Sequence, residues 1–387
     1  MISQFTMRKP DDFHVHLRSD AMLLDTLPDL IRRYRRVMVM PNLSEPVSYA
    51  ESVLRYYNHI KEVMAGYPIH RSLAEFTPLM TLYLTPKTNR LTLEDAVKKC
   101  NDAGVKLIAV KWYPTGLTTN SNMGVTEEYL LRYSDLLEAM QDLDLVFCIH
   151  GESVIRDVFN RELLFATSVL PRLRKNAPDL RIVMEHITTE TMVSAVMDLD
   201  SKVAATITPH HLYFDYNDML GNGLNPHLYC KPILKAQHDV DSLRKAAVSG
   251  SPKFFLGSDS APHPADAKEC ACGAAGIYNA HASLEMYATV FSWMKEPMGC
   301  INYGEDPAWV SLLEKFCSEH GANFYGLPLN KETITLRRNT PDNFSGQGEG
   351  RGGDFLGRKG ISLTPFFPPN HPTGPKRMDI PVDWKLA

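Results

Sequence analysis

Eight short runs rich in Val, Ile, Leu, Met and aromatic residues, separated by segments of helical period, constrain this chain more than any other feature. They cover 12–17, 36–41, 79–84, 107–113, 145–151, 182–187, 203–208 and 254–259, and each trails into polar, Gly, Pro or His residues. Strand-like runs alternating with helical segments are the pattern of a parallel sheet built from βα units. Eight such units are what a closed (β/α)8 TIM barrel needs. Thr92-Leu-Glu-Asp95 resembles a capping box, opening a helix that runs to Ala103 and stops at Gly104. The segment 127–142 reads as one helix with Tyr129, Leu130, Tyr133, Leu136, Leu137 and Met140 on a single stripe. Helices near 281–295 and 307–320 would complete the outer ring.

The pattern holds to about residue 335. Ser345 to Gly360 is Gly-rich and Thr364 to Pro381 is Pro-rich, so neither forms a regular helix or a central strand. The expected division is a catalytic barrel domain over 1–340 and a Gly/Pro-rich extension over 341–387. With 44% hydrophobic and 22% charged residues and a net charge of −4, the chain lacks the basic excess of a nucleic-acid binder. No apolar run approaches the roughly 18 residues of a membrane span, and the first eighteen residues hold no signal-peptide core. Seven cysteines without a CxxC pair read as reduced thiols of a cytoplasmic protein, and Cys270-x-Cys272 is too tight for the usual zinc knuckle.

His14 and His16 stand two apart on the first run, and a period of two turns both imidazoles to the inner face while Phe13, Val15 and Leu17 turn to the helices. Further ligand-type residues recur where later runs end: Lys111, His150, His186 and Asp259. In a barrel all these ends meet at one mouth, where the active sites of this fold are found. Four imidazoles and a carboxylate suit zinc. Lys111 is the misfit, because an ammonium would be repelled by two dications. Reaction of its neutral amine with carbon dioxide would give a carbamate (N6-carboxylysine) with two oxygens, suited to bridging two metals.

Asp12-Phe-His-Val-His-Leu-Arg18, Met40-Pro-Asn42, Lys111-Trp-Tyr-Pro114, Ile149-His-Gly-Glu152, Glu185-His-Ile-Thr188, Pro226-His-Leu-Tyr-Cys230 and Gly257-Ser-Asp-Ser-Ala-Pro-His263 together resemble the dihydroorotase family in its short, single-function bacterial and fungal form. The motifs occur in that family's order over most of 10–330, and the tail from about Ser345 does not match it. The resemblance implies a metal-dependent amidohydrolase barrel that interconverts dihydroorotate and N-carbamoyl-L-aspartate in pyrimidine synthesis. It implies two zinc ions, one on His14, His16 and Asp259, the other on His150 and His186, bridged by carbamylated Lys111. Asp259 is then also the proton-transfer residue. Arg18, on the same face as His16, would bind the substrate carboxylate, with Asn42, His263 and main-chain groups at Lys231 and Ala275 as further contacts. Some relatives carry an apolar side chain where Lys231 stands, so only its main-chain role carries over. Thr118 and Thr119 fall in the family's mobile loop, and a homodimer is the expected assembly.

Overall fold

All eight runs form strands. The computed structural model describes residues 2–67, 76–221, 223–294, 308–338, 361–363, 378–380 and 382–387. After an N-terminal strand, β1 (Gln4–Arg8), come β2 (Asp11–Val15), β3 (Arg36–Val39), β4 (Thr77–Tyr83), β5 (Leu107–Trp112), β6 (Val146–His150), β7 (Ile182–Glu185), β8 (Val203–Ile207) and β9 (Phe254–Leu256). Strands β2 to β9 lie side by side in sequence order, every neighbouring pair parallel. The last strand meets the first just beyond its end. A bridge joins Val15 to Ser260, the Asp259 N–H donates to the His14 carbonyl at 2.9 Å, and the His16 N–H donates to the Ser260 carbonyl at 3.0 Å. Buried Asp12 completes this seam by accepting from the Ser258 N–H (2.8 Å) and hydroxyl (2.5 Å) and from the His14 N–H (3.1 Å).

The barrel interior is layered by strand parity. Met38, Leu79, Ala109, Val146, Cys148, Val183, Ala204 and Phe255 form its apolar floor with Ala322 from the helix His320–Phe324 and Tyr325 just after it. Two residues on from Ala109, Cys148, Val183 and Ala204, the same face presents Lys111, His150, Glu185 and Thr206. The apolar floor thus sets the height at which polar chemistry begins. Phe13 corrects the alternation expected for the first strand. The register against β3 shifts between Asp12 and Val15, so Phe13 turns inward and stacks on Tyr325 at 4.8 Å, while Val15 and Leu17 pack outward as expected.

Two helices differ in detail from the sequence reading. The one ending at Asp102 begins at Arg90, capped by Asn89, whose side chain accepts from the Thr92 N–H at 3.1 Å while the Thr92 hydroxyl accepts from the Asn89 N–H at 2.9 Å. The box is therefore Asn89 with Thr92, one turn earlier than read. The 127–142 segment is two helices, Glu127–Arg132 and Ser134–Asp142, broken at Tyr133. Leu130, Leu137 and Met140 stay buried, whereas Tyr133 is 50% exposed and stacks on Tyr129.

Later strands are β10 (Thr333–Arg338), β11 (Ile361–Leu363), β12 (Met378–Ile380) and β13 (Trp384–Leu386). An antiparallel sheet β1-β10-β13 joins the two ends of the chain outside the barrel, and β11 pairs with β12. Phe5 packs edge-on against Trp384 and Trp309 at 4.8 and 5.2 Å, so this outer sheet belongs to the main core. The Gly-rich run 345–360 and most of the Pro-rich run, 364–377, lie outside the described residues. Among the described residues no helix is long and apolar enough to cross a membrane.

Candidate active site

The C-terminal ends of the strands gather the six expected ligand residues at one mouth. Nε2 of His14 and Nε2 of His16 lie 3.4 and 3.1 Å from Oδ1 of Asp259. Nδ1 of His150 faces Nε2 of His186 at 3.2 Å. Two ligands at 2.0–2.1 Å from one tetrahedral ion stand about 3.3 Å apart. All three separations match that spacing, and the donor chemistry of these residues fits zinc.

Backbone conformation helps to aim them. His186 (φ 42°) and Asp259 (φ 45°) are left-handed, at a cost of roughly 1–2 kcal/mol each. The His186 conformation is held by its N–H donating to the Thr206 hydroxyl at 2.7 Å. Because β7 ends in this turn, consecutive residues Glu185 and His186 both address the site, which strict alternation would forbid.

Two glutamates absent from the sequence-derived ligand set orient these imidazoles. Buried Glu185 accepts from Nδ1 of His14 at 2.8 Å and from the Thr206 hydroxyl at 2.6 Å, leaving Nε2 of His14 to face Asp259. Glu152 accepts from Nε2 of His150 at 2.7 Å, leaving Nδ1 to face His186. Burial alone would raise both carboxyls, but the neighbouring imidazoles hold them below the usual range. A carboxylate facing inward from the apolar strand Ile182–Glu185 was the sequence signal for Glu185.

Burial pushes His150 down, His186 well down and His16 to about 4, so these three imidazoles are neutral near pH 7, the form that binds metal. Burial would raise Asp259, but the His16 hydrogen bond and the adjacent imidazoles hold it well below the usual carboxylate range. Lys111 is fully buried and its Nζ has no hydrogen-bond partner. Burial lowers its pKa against the opposing pull of Glu185, Cys148 and Asp259.

Above these groups lies a small cavity of about 30 Å³ lined by His14, His16, His150, His186 and Asp259 together with Arg18, Asn42, Lys231, Ala275, Thr118 and Thr119. His263 stands behind Arg18. Its Nε2 is 3.0 Å from the Arg18 guanidinium and 3.0 Å from the Ala275 carbonyl, and Arg18 also donates to the Pro262 carbonyl at 3.2 Å. Asn42 donates to the Thr119 carbonyl at 3.1 Å, which leaves its buried Oδ1 without a partner, as is the Thr118 hydroxyl. Gly276 lines the same wall at φ 151°, where a Cβ would meet the Ala261 carbonyl at 2.6 Å. A separate buried group, His210, His211 and Cys230, also brings its ligand atoms within 4.8 Å of one another. His211 there is bonded at both nitrogens, to Thr208 and to the Pro232 carbonyl, as an ordinary buried histidine is.

The amidohydrolase family model matches residues 12–337, and the chain belongs to that family. A dihydroorotase of Shewanella baltica is 45% identical over 338 residues, covering 87% of this chain and 91% of the relative. One from Shewanella oneidensis is 45% identical over 334 residues, 86% of this chain and 90% of the relative. Within the amidohydrolases the chain therefore belongs to the dihydroorotases. The crystal structure of the Saccharomyces cerevisiae dihydroorotase in complex with 5-fluoroorotic acid superposes with a TM-score of 0.79 at 26% identity, covering 100% of this chain and 99% of that one. The Campylobacter jejuni dihydroorotase gives 0.75 at 30% identity, covering 100% and 98%. An Arthrobacter aurescens L-hydantoinase, at 16% identity and a TM-score of 0.66, shares the fold alone.

Proposed function

We propose that this protein catalyses the reversible conversion of (S)-dihydroorotate to N-carbamoyl-L-aspartate, the third step of de novo pyrimidine synthesis, with two zinc ions and a carboxylated Lys111. The observation that carries the reading is the meeting, in one cavity, of the His150–His186 pair and of His14 and His16 with Asp259, all at metal-ligand spacing, beside the half-buried Arg18 guanidinium. His14, His16 and Asp259 would hold one ion and His150 and His186 the other. Lys111, buried beneath them with an unpartnered nitrogen, would take up carbon dioxide at Nζ, release a proton and offer two anionic oxygens to both ions. When bound, the ions would supply a nucleophile at neutral pH and polarise the ring carbonyl.

The chain's own residues do the rest. Arg18, fixed by the Pro262 carbonyl and His263, presents a fork that matches a substrate carboxylate. The free Oδ1 of Asn42 accepts a ring N–H, and main-chain groups at Lys231 and Ala275 line the opposite wall. Asp259, kept ionised, accepts the proton of the attacking water and returns it to the departing ring nitrogen; in cyclisation the steps reverse. The loop bearing Thr118 and Thr119 excludes water and sets its unpartnered hydroxyl against the substrate.

Purified zinc-loaded protein should interconvert the two compounds, and Arg18→Met should raise KM about 10- to 100-fold, the worth of a charged hydrogen-bond pair. Turnover of hydantoin without turnover of dihydroorotate would refute the assignment. The same reading takes residues 1–340 as the catalytic domain and 341–387 as an extension, in a cytoplasmic homodimer that engages neither nucleic acid nor membrane. The free state of all six described cysteines supports the compartment, and light scattering on the purified protein tests the dimer.

A further inference from the structure

The loop that closes the cavity is held in two distinct ways. Its own hydrogen bonds make it a compact body around Ser121, which is fully buried. The Ser121 hydroxyl accepts from the Thr118 N–H at 2.9 Å and donates to the Thr118 carbonyl at 2.7 Å, and the Thr115 hydroxyl donates to the Gly124 carbonyl at 2.8 Å. A body tied in this manner opens as a unit. What keeps it shut must therefore be its bonds to the barrel.

Among the described residues, three outside the loop make such bonds. Asn42 donates to the Thr119 carbonyl and accepts, at its own carbonyl, from the Asn120 side chain at 3.0 Å. The Tyr83 hydroxyl reaches the Asn120 carbonyl at a long 3.3 Å. The remaining tie is the only charged one of the three. The Lys231 ammonium crosses the cavity wall from the segment after β8 and donates to the Leu117 carbonyl at 2.5 Å. Lys231 is half-buried and Leu117 is buried, so water competes poorly for that bond. Hydrogen bonds with an ionised partner are about twice as strong as neutral ones.

We propose that the Lys231 side chain is a positioning residue that latches the substrate loop in its closed state before substrate arrives. The loop's inward Thr118 hydroxyl is still unpartnered, so closure in this state is not held by the group the loop offers to a ligand. The latch thus sets how much substrate binding energy is spent on shutting the loop, and it governs loop opening as well. This role belongs to the side chain and is additional to the main-chain contact assigned above.

The test is amide hydrogen exchange, read by mass spectrometry, on the zinc-loaded protein without substrate. Lys231→Met keeps the alkyl stem and removes the charged donor. Peptides covering 115–124 should then exchange about tenfold faster or more, the worth of one charge-assisted bond, while peptides from the barrel strands are unchanged. Lys231→Arg should restore protection to within about threefold of wild type, because a cationic donor is retained. In kinetics, Lys231→Met should raise KM by a similar factor and leave the pH profile unmoved. Wild-type protection in Lys231→Met would overturn the proposal, as would Lys231→Arg exchanging as fast as Lys231→Met. Lys231→Gln serves if the Met variant fails to fold. The exchange readout needs no turnover, so it stands or falls independently of the reaction assigned above.

Discussion

Replacing Glu185 with Gln isolates the charge of a side chain that touches no substrate. The carboxylate is wholly buried and accepts two hydrogen bonds, from Nδ1 of His14 at 2.8 Å and from the Thr206 hydroxyl at 2.6 Å. Both donors reach the same oxygen, Oε2, whereas Oε1 has no hydrogen-bond partner, so an amide of the same shape can still accept both and turns its NH2 to the Oε1 position. Exchanging the two charge-assisted bonds for neutral ones costs about 1 kcal/mol each. The cost falls on the tautomer and orientation of His14, and through Thr206 on the left-handed turn at His186. Both are proposed ligands of different ions. Zinc affinity should therefore drop about 10- to 100-fold. Competition against a chelating dye measures it directly, with elemental analysis giving the ions retained per chain. A folded Glu185→Gln protein that binds zinc within twofold of wild type would show that the carboxylate does not orient the ligands.

Other consequences are as direct. Burial, opposed by Lys235 and by bonds from Thr188 and Thr189, pushes Glu162 up to about 7, so its contribution to stability is full below the ordinary carboxylate pKa of about 4.5 and is lost as pH rises through 7. Glu162→Gln should remove that slope, narrowing its stability deficit, or widening its advantage, by about 3 kcal/mol between pH 4.5 and 8; equal urea-midpoint differences at both ends would contradict it. Trp384→Ala empties a site between Phe5 and Trp309, at ring distances of 4.8 and 5.5 Å, and should cost about 3–5 kcal/mol in urea unfolding with KM unchanged. A loss below about 1 kcal/mol would mean the outer sheet is not part of the core. Gly257→Ala would set a Cβ 2.7 Å from that of Thr206 and 3.1 Å from that of His14. It should lower stability by about 1–3 kcal/mol and lower activity further than that loss explains, because His14 must move; full activity would refute the crowding.

The barrel and the gathering of ligand-type residues at its mouth were legible because both are written in parity. An inward face that reads Ala109 then Lys111, or Cys148 then His150, announces its own height in the barrel, and the eight runs needed no long-range information to be counted. Legibility failed where the backbone left that rule. The bulge in β2 sent Phe13 inward, and nothing in Asp12-Phe-His-Val-His marks a bulge. The outer sheet was invisible for a different reason. Its strands are short and polar on one side, and β1 and β13 gain strand character only by pairing with β10, from opposite ends of the chain. Side-chain reach was the third blind spot. Lys231 is expected to act through its main chain because some relatives carry an apolar side chain there, and no local pattern says that its ammonium ends on the loop bearing Leu117.

The two orienting glutamates show how far such reasoning can be pushed once the geometry is known. Histidine offers a metal whichever nitrogen the protein has not already engaged, so the position of the partner carboxylate selects the ligand atom. Glu185 projects inward from β7 and meets Nδ1 of His14, so His14 turns Nε2 to Asp259. Glu152 lies only two residues beyond His150, across Gly151, on the side of the ring away from His186. It engages Nε2, and Nδ1 is what remains for His186. One carboxylate supplied from a distant strand and one supplied locally thus give the two proposed ions imidazoles of opposite polarity. Substituting Glu152 frees the wrong nitrogen of His150, whereas substituting Glu185 loosens His14 and disturbs His186 through Thr206. The Glu152 variant should accordingly lose one zinc and the Glu185 variant weaken both, a difference that metal stoichiometry during stepwise chelation resolves.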